Sequence, residues 1–414
     1  MSLCTIVRMV LFLPLAMSAL AQPYTAQKTT ADGIPVVRLN DNERGIVVSI
    51  APTVGNNAYE MIVGGRNVFW FPYESVADFA REPKLCGNPF LAPWANRLDE
   101  EGFYFEGRRY LLDKHLGNLL RDGNGLPIHG LLLFRPEWEV VELEATAEEA
   151  YVTSRFAFAR HAELLAHFPF AHQIDMTYRL RAGALAIETR IVNQGSQTMP
   201  LSVGYHPYFR IHDAPRDAWT VRLPVERIWT LTDRLVPTGS TQPVRNVFPN
   251  PERISLAGTF LDHVFGGLRR AADGTARFAV QGKQQTIEVR YGEKYREAVV
   301  YAPPGMDRAA FICFEPMSSI TNAFNLAHRG RYDHLQSIPA GGEWIETYSI
   351  HPSGFYPAFL TTWRDEVGER AVRTRREPEG GKRRAQAYLN STLSTASKRN
   401  EVMAALWCAS SVGW

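Results

Sequence analysis

Apolar and polar residues alternate along most of the chain between residues 27 and 352. The segment 175–181 alternates in this way, Gly183 interrupts it, and 184–192 alternates again. Successive side chains of a β-strand point to opposite faces, so the pattern predicts strands with one face on a core and one toward solvent. The two segments around Gly183 therefore predict an antiparallel hairpin.

The same period recurs elsewhere, whereas helical periodicity is scarce. Residues 74–80 predict one short helix. Strands do not alternate with helices, so we predict an all-β fold, a large antiparallel sandwich, rather than a parallel α/β sheet. The further predicted strands cover residues 45–50, 138–143, 286–291 and 310–315.

The first 21 residues have the pattern of a secretory signal peptide. Arg8 precedes an apolar run over residues 9–17, and Ala19-Leu20-Ala21 supplies a small-residue cleavage site. The run is shorter than the roughly 20 apolar residues that a membrane-spanning helix needs. An uncleaved anchor or a short buried helix is the alternative. We expect a periplasmic or secreted protein that has no stable membrane anchor after cleavage.

The alternation stops near residue 352, and residues 353–414 differ in character. Two basic runs, 373–376 and 382–384, flank a stretch rich in Glu, Pro and Gly. Such composition is typical of a solvated, poorly ordered tail, which we predict here. A basic patch that touches an anionic surface is the alternative.

The overall charge is close to neutral. The chain has 45 lysines and arginines against 43 acidic residues, which argues against a nucleic-acid partner because that partner requires a basic face. Hydrophobic residues make up 45% of the sequence, as in ordinary globular proteins. Three cysteines remain beyond the signal segment. Cys86 and Cys313 could form a bridge in an oxidising compartment, but buried free thiols are the favoured interpretation.

Polar residues interrupt the apolar segments at a few places that could carry chemistry. Arg97 follows a loop rich in proline and aromatic residues, His129 precedes a glycine, and His206 lies among aromatic residues. Glu315 ends an apolar strand just before Pro316, which suggests that the strand ends there. A buried carboxylate is costly unless it is paired or lines a polar cleft. Together these residue types suit a sugar site, although each one could also have a structural role.

Regular strand geometry makes a further prediction about this segment. Phe311, Cys313 and Glu315 are two residues apart, so they should share one face of the sheet.

Five motifs, in order along the chain, resemble the aldose 1-epimerase (galactose mutarotase-like) family over about residues 35–351. The resemblance implies a β-supersandwich that interconverts the α and β anomers of a free aldose, without a metal or organic cofactor for catalysis. The motifs are Asn96-Arg97, His129-Gly130, Gly204-Tyr205-His206-Pro207-Tyr208-Phe209, Leu261-Asp262-His263-Val264-Phe265 and Glu315-Pro316.

The resemblance also implies roles for individual residues. Glu315 would be the general base and His206 the general acid. His129 would orient the sugar and stabilise charge near the ring oxygen, while Arg97 and Asp262 would bind hydroxyls. Reference pKa values of about 4.3 for a glutamate and 6.5 for a histidine are compatible with these roles near neutral pH.

Two segments depart from the family pattern and leave the substrate open. Residues 113–125 are longer and more polar than expected, and residues 322–325 resemble only some branches. One alternative is therefore a hexose-6-phosphate mutarotase that uses Arg108, Arg109 and Arg121 to bind phosphate. Another alternative is a carbohydrate-binding module without catalysis.

A metal hydrolase is less well supported than either of these. The pairs His161/His167 and His206/His212 are six residues apart, and no His-Glu-x-x-His or paired-cysteine motif accompanies them. We therefore predict no metal site.

Overall fold

The computed structural model describes residues 22–304 and 310–356. The predicted signal peptide (1–21) and nearly all of the predicted tail (353–414) lie outside these ranges. All elements named below lie before Tyr356, in the first of the two units into which the chain divides. In the described ranges, no helix is both long enough and apolar enough to cross a membrane.

Short antiparallel strands make up the first half of the described chain. They are β1 (Tyr24–Ala31), β2 (Ile34–Asp41), β3 (Ile46–Ala51), β4 (Asn57–Val63), β5 (Arg66–Asn67), β6 (Phe90–Leu91), β7 (Gly102–Phe105), β8 (Arg108–Leu111), β9 (Glu139–Ala145), β10 (Glu149–Phe156), β11 (His172–Arg181) and β12 (Ala184–Asn193).

The second half continues in the same way. Its strands are β13 (Met199–Leu201), β14 (Gly204–Tyr205), β15 (Tyr208–Phe209), β16 (Thr220–Arg222), β17 (Val225–Leu231), β18 (Pro237–Pro243), β19 (Ile254–Ser255), β20 (Leu261–Leu268), β21 (Ala276–Gln281), β22 (Thr286–Tyr291), β23 (Glu297–Ala302), β24 (Ile312–Met317), β25 (Gln336–Ile338) and β26 (Glu343–Ser353). The α-helices among the described residues are α1 (Val76–Arg81), α2 (Ala162–Leu165) and α3 (Ala323–His328).

Two large sheets form the body of the fold. One has nine strands in the order β19-β16-β21-β22-β26-β12-β11-β10-β9. The other has eight strands, ordered β18-β17-β20-β23-β24-β14-β6, with β15 also paired to β24. The strand pairs of both sheets are antiparallel, so the predicted all-β antiparallel fold is confirmed.

The two sheets pack face to face around a core that contains several hydroxyl groups. The hydroxyls of Thr189 on β12 and Tyr205 on β14 lie 2.5 Å apart across the interface. Nearby, the rings of Phe314 on β24 and Phe278 on β21 have centroids 5.9 Å apart. These contacts bury one face of the eight-stranded sheet, and its other face carries the site described below.

Several local predictions are confirmed. Strands β11 and β12 form the hairpin, in a register that pairs Arg181 with Ala184. Helix α1 begins after Ser75, whose hydroxyl accepts a hydrogen bond from the Asp78 backbone N–H, as an N-cap residue does. Cys86 and Cys313 are buried free thiols.

The prediction that Pro316 ends its strand is wrong. Strand β24 continues to Met317, and Pro316 pairs in register with Ala298 of β23. On the other side, the pairing with β14 and β15 is interrupted from Tyr205 to Pro207, and Tyr205 is the residue opposite Pro316. A proline is tolerated at such an interruption because it has no N–H to contribute to a ladder.

Candidate active site

Glu315 and His206 meet across two neighbouring strand segments. The register that pairs Tyr208 with Cys313 continues along β24 and places His206 opposite Glu315. His206 Nε2 lies 3.3 Å from Glu315 Oε1, and both side chains are buried. The structure therefore brings the two predicted proton carriers into contact.

Asp262 lies on the same face of the sheet, two strands away. It pairs with Tyr301 of β23, which in turn pairs with Cys313 of β24. Residues directly opposite one another share a face of an antiparallel pair, as do residues two apart on one strand. Burial raises the pKa of Cys313, and the nearby charges of Glu315 and Asp262 raise it further, in agreement with this arrangement.

A tight backbone contact positions His129 above this face. The His129 N–H donates to the Asn96 carbonyl at 3.0 Å, and both residues have positive φ, 62° and 58° respectively. Such conformations are uncommon outside glycine and are concentrated at functional sites. Gly130 follows with φ of 71°, and a Cβ there would lie 2.1 Å from the Ala92 carbonyl oxygen. Glycine is therefore required next to His129.

Aromatic rings form a wall beside Glu315. The rings of His129 and His206 meet edge to face with centroids 5.4 Å apart. The ring of Tyr208 also stacks on the ring of His206, with centroids 4.7 Å apart. The His206 imidazole therefore contacts two rings, which limits its rotation.

Arg97 is held by two acceptors. Its Nε donates to Asp122 Oδ2 at 2.6 Å, and one Nη1 hydrogen bonds to Asn96 Oδ1 at 3.1 Å. Within residues 22–304 and 310–356, no hydrogen bond engages its Nη2. The guanidinium therefore keeps donors for a ligand, in the planar geometry that suits two neighbouring hydroxyls.

Three buried polar atoms of the site have no hydrogen-bond partner among the described residues. They are Glu315 Oε2, His206 Nδ1 and His129 Nδ1. An unsatisfied buried polar group costs about 1–3 kcal/mol, so native proteins retain few of them. A ligand rich in hydroxyl groups could satisfy these atoms.

Burial dominates the electrostatics of the central pair. It raises the pKa of Glu315 well above its ordinary value, as does the charge of Asp262, while Arg97 acts in the opposite direction. Burial lowers the pKa of His206 to about 3, and the charge of Arg97 lowers it too. Burial therefore disfavours the charged form of each group, both the carboxylate of Glu315 and the imidazolium of His206. The reference pKa values used in the sequence-based expectation do not apply to this buried pair.

The other two polar side chains respond to burial in the same way. Burial lowers the pKa of His129 well below its ordinary value, so its ring is neutral and has one donor and one acceptor nitrogen. Burial raises the pKa of Asp262, and the charge of Arg97 lowers it. In the described part of the chain, no ion pair engages the Asp262 carboxylate.

The other histidines considered from the sequence have structural roles or stand apart. His167 Nδ1 accepts from the Asp113 N–H at 3.2 Å, and its Nε2 donates to Asn118 at 2.7 Å. His212 Nε2 donates to the Asn67 carbonyl at 2.6 Å. Among the residues that the structure describes, no cluster of His, Cys, Asp and Glu side chains could hold a metal ion.

Sequence reasoning missed Asp122 and gave Asn96 no role. Asp122 lies in the polar segment that departs from the family pattern, and its partnership with Arg97 depends on how that segment folds back. The Asn-Arg pair carries a local signal, because asparagine tolerates positive φ better than most residues do.

Residues 36–351 match the aldose 1-epimerase family. This chain belongs to that family. The uncharacterized protein YihR of Escherichia coli K12 is 25% identical over 238 residues, which cover 57% of this chain and 70% of that protein. Family membership supports a mutarotase-like isomerase that acts on a small sugar.

Solved structures agree on the fold. A galactose mutarotase-like protein from Clostridium acetobutylicum superposes with a TM-score of 0.70 at 21% identity, covering 80% of this chain and 99% of that one. The galactose 1-epimerase from Lactobacillus acidophilus superposes with a TM-score of 0.63 at 14% identity, with the same coverage. This chain has the galactose mutarotase-like fold.

Proposed function

We propose that this protein is an aldose mutarotase that interconverts the α and β anomers of a free hexose. The observation that carries the proposal is the buried contact between His206 and Glu315, 3.3 Å apart, with one oxygen and one nitrogen of the pair unpartnered in the described ranges. Anomer exchange requires one proton acceptor and one proton donor on the same sugar, and this pair supplies both.

Ring opening requires that the pair carry one proton. With the proton on His206, Glu315 accepts the proton of the C1 hydroxyl while His206 donates to the ring oxygen. The C1–O5 bond breaks, the C1–C2 bond rotates, and the aldehyde closes on its other face with both transfers reversed. No proton is gained or lost overall, and each transfer contributes about 10²–10⁴-fold.

Arg97 makes the ionised form of Glu315 accessible. Its charge lowers the pKa of Glu315 and so opposes the effect of burial. Its remaining donors and the Asp262 carboxylate bind ring hydroxyls from two directions. His129, which is neutral, orients the sugar beside the ring oxygen.

The test compares anomer exchange in wild type, Glu315→Gln and a surface control. The control is Glu343→Gln, since Glu343 is an exposed carboxylate on β26 of the other sheet. Exchange of freshly dissolved α-glucose and α-galactose is followed by polarimetry and by NMR. Loss of exchange in Glu315→Gln alone supports the proposal, whereas a variant as fast as wild type contradicts it.

The hexose-6-phosphate alternative receives little support from its candidate cations. Arg109 pairs with Glu100 at 2.8 Å, and Arg121 pairs with Glu101 at 2.6 Å. Arg108 lies over the Tyr110 ring at 5.2 Å. All three are engaged elsewhere, so we expect free glucose to be exchanged faster than glucose 6-phosphate. The reverse order would favour the phosphorylated substrate.

The alternative of a carbohydrate-binding module without catalysis predicts a different experimental result. A module would bind glucose or galactose in calorimetry without accelerating anomer exchange. The buried acid–base pair favours the enzyme, because a binding module has no need to keep unsatisfied proton carriers.

We also propose that the enzyme acts outside the cytoplasm. The proposal is supported by the pattern of residues 1–21, which lie outside the described ranges. Expression of the full chain, followed by cell fractionation and N-terminal sequencing, tests it. A periplasmic or secreted product that begins at Gln22 supports export, and a cytoplasmic product that keeps Met1 contradicts it.

A further inference from the structure

Asp122 hydrogen bonds both to the backbone of its own loop and to Arg97, which is 25 residues away along the chain. One carboxylate oxygen, Oδ1, accepts from the backbone N–H groups of Asn124 and Leu126, both at 2.9 Å. The other, Oδ2, accepts from Arg97 Nε at 2.6 Å. The same carboxylate thus shapes its own loop and holds the arginine of the site.

This carboxylate is buried and ionised. Its side chain is 6% exposed, and that of Arg97 is 16% exposed. Burial acts to raise the pKa of Asp122, but the hydrogen bonds from Arg97, Leu126 and Asn124 outweigh it and lower the pKa. The ion pair is therefore intact at neutral pH, and solvent screens it less than it screens a surface pair.

The hydrogen bond from Arg97 Nε helps to fix the orientation of its guanidinium group. With Nε bound to Asp122 and one Nη1 hydrogen bound to Asn96, the plane and rotation of the guanidinium are set. An arginine held at Nε presents its terminal fork in one direction, whereas a free one samples many rotamers at an entropic cost.

We propose that Asp122 is the positioning residue that aims Arg97 at the sugar, so that the polar segment 113–125 sets recognition of a neighbouring pair of hydroxyls. The inference rests on the proposed mutarotase function and identifies a residue through which the same site selects its substrate. Asp122 itself does not touch the sugar.

The loop offers a matched control for a merely structural role. Arg121, the residue before Asp122, forms a bidentate pair with Glu101, with distances of 2.6 and 2.8 Å. That pair ties down the same segment without contacting Arg97. Glu101→Gln therefore tests loop anchoring, whereas Asp122→Asn keeps an oxygen for the backbone N–H groups and removes the charge that holds Arg97.

The experiment measures anomer exchange of galactose by wild type, Asp122→Asn, Glu101→Gln, Arg97→Ala and the double variant Asp122→Asn/Arg97→Ala. We expect Asp122→Asn to raise KM about tenfold or more with kcat within a few-fold, because Arg97 is then no longer held in place to donate its charged hydrogen bonds to the sugar, and losing one such bond weakens binding by that order. Glu101→Gln should stay near wild type. The double variant should match Arg97→Ala, since two residues that act through one interaction are not additive.

Other results of this experiment would overturn either the positioning role of Asp122 or the proposed function. Additive effects of the two substitutions, or equal losses in Asp122→Asn and Glu101→Gln, overturn the positioning role. If wild type binds galactose in calorimetry without exchanging anomers, the proposed function fails, and the same five proteins test the inference through Kd. A wild type that neither binds nor exchanges overturns both.

Discussion

His206 lies directly opposite Glu315 in the register between β24 and its neighbouring segment, with Nε2 and Oε1 3.3 Å apart. Residues 205–207 do not pair with β24, but the register is the same on both sides of this interruption. The first two predictions below depend on this contact.

The first prediction concerns pH. Burial lowers the pKa of His206 to about 3, far below the ordinary histidine value. We therefore expect the pH profile of kcat/KM for anomer exchange to show no titration of an ordinary histidine. An alkaline decline with a midpoint near the ordinary histidine value of about 6.5 would show that His206 titrates as if exposed.

The second prediction concerns the pair as a unit. His206→Asn and Glu315→Gln should each lower kcat by about 10²–10⁴-fold. The double variant should be no more than about tenfold slower than the slower single variant, because either loss removes the coupled transfer. Stopped-flow polarimetry of the three proteins checks this, and losses that multiply would indicate independent roles.

The third prediction concerns Glu297 of β23, which is buried. Trp229 Nε1 donates to one of its oxygens at 2.9 Å, and burial raises the pKa of this carboxyl group to about 7. Between about pH 4.5 and 7 the native state holds a proton that the unfolded state releases, so stability falls as the pH rises through that window. The total is roughly 3 kcal/mol.

Glu297→Gln should remove this contribution, so that between pH 5 and pH 8 the stability of the variant falls less, or rises more, than that of wild type. Urea unfolding at pH 5 and pH 8 measures it, and Glu343→Gln, on the surface, should retain the wild-type slope. Equal slopes in wild type and Glu297→Gln would contradict the assignment.

The fourth prediction separates backbone strain from steric clash at Gly130. Gly130→Ala places a Cβ 2.1 Å from the Ala92 carbonyl, whereas Gly107, with a similar φ of 74°, has nothing within 4 Å. Both alanine variants should lose about 1 kcal/mol or more to the unfavourable φ. Only Gly130→Ala should lose further stability and also activity, because His129 must shift. Thermal unfolding and anomer-exchange rates of the two variants test this prediction. Equal losses of stability and activity in both variants would contradict the steric clash.

Local patterns predicted the elements well where a single strand or turn carries the signal. The alternation around Gly183 predicted the hairpin of β11 and β12, and the ordered motifs predicted the family. The prediction from Pro316 was wrong because a proline is excluded from a ladder only where its N–H would be needed, and the neighbouring segment does not pair with β24 at that position. The predicted signal peptide and most of the predicted tail lie outside the described residues and remain predictions.

The amino-acid sequence alone determined the strand period, the fold class and the residue types of the site, because these depend on neighbours along the chain. Tertiary structure decided the contact of His206 with Glu315, the hydrogen bond of Asp122 to Arg97, and the directions in which the pKa values of the central pair shift. Contacts between distant residues depend on strand register and loop path, and pKa values depend on how much water the packed sheets exclude, so neither follows from spacing along a chain.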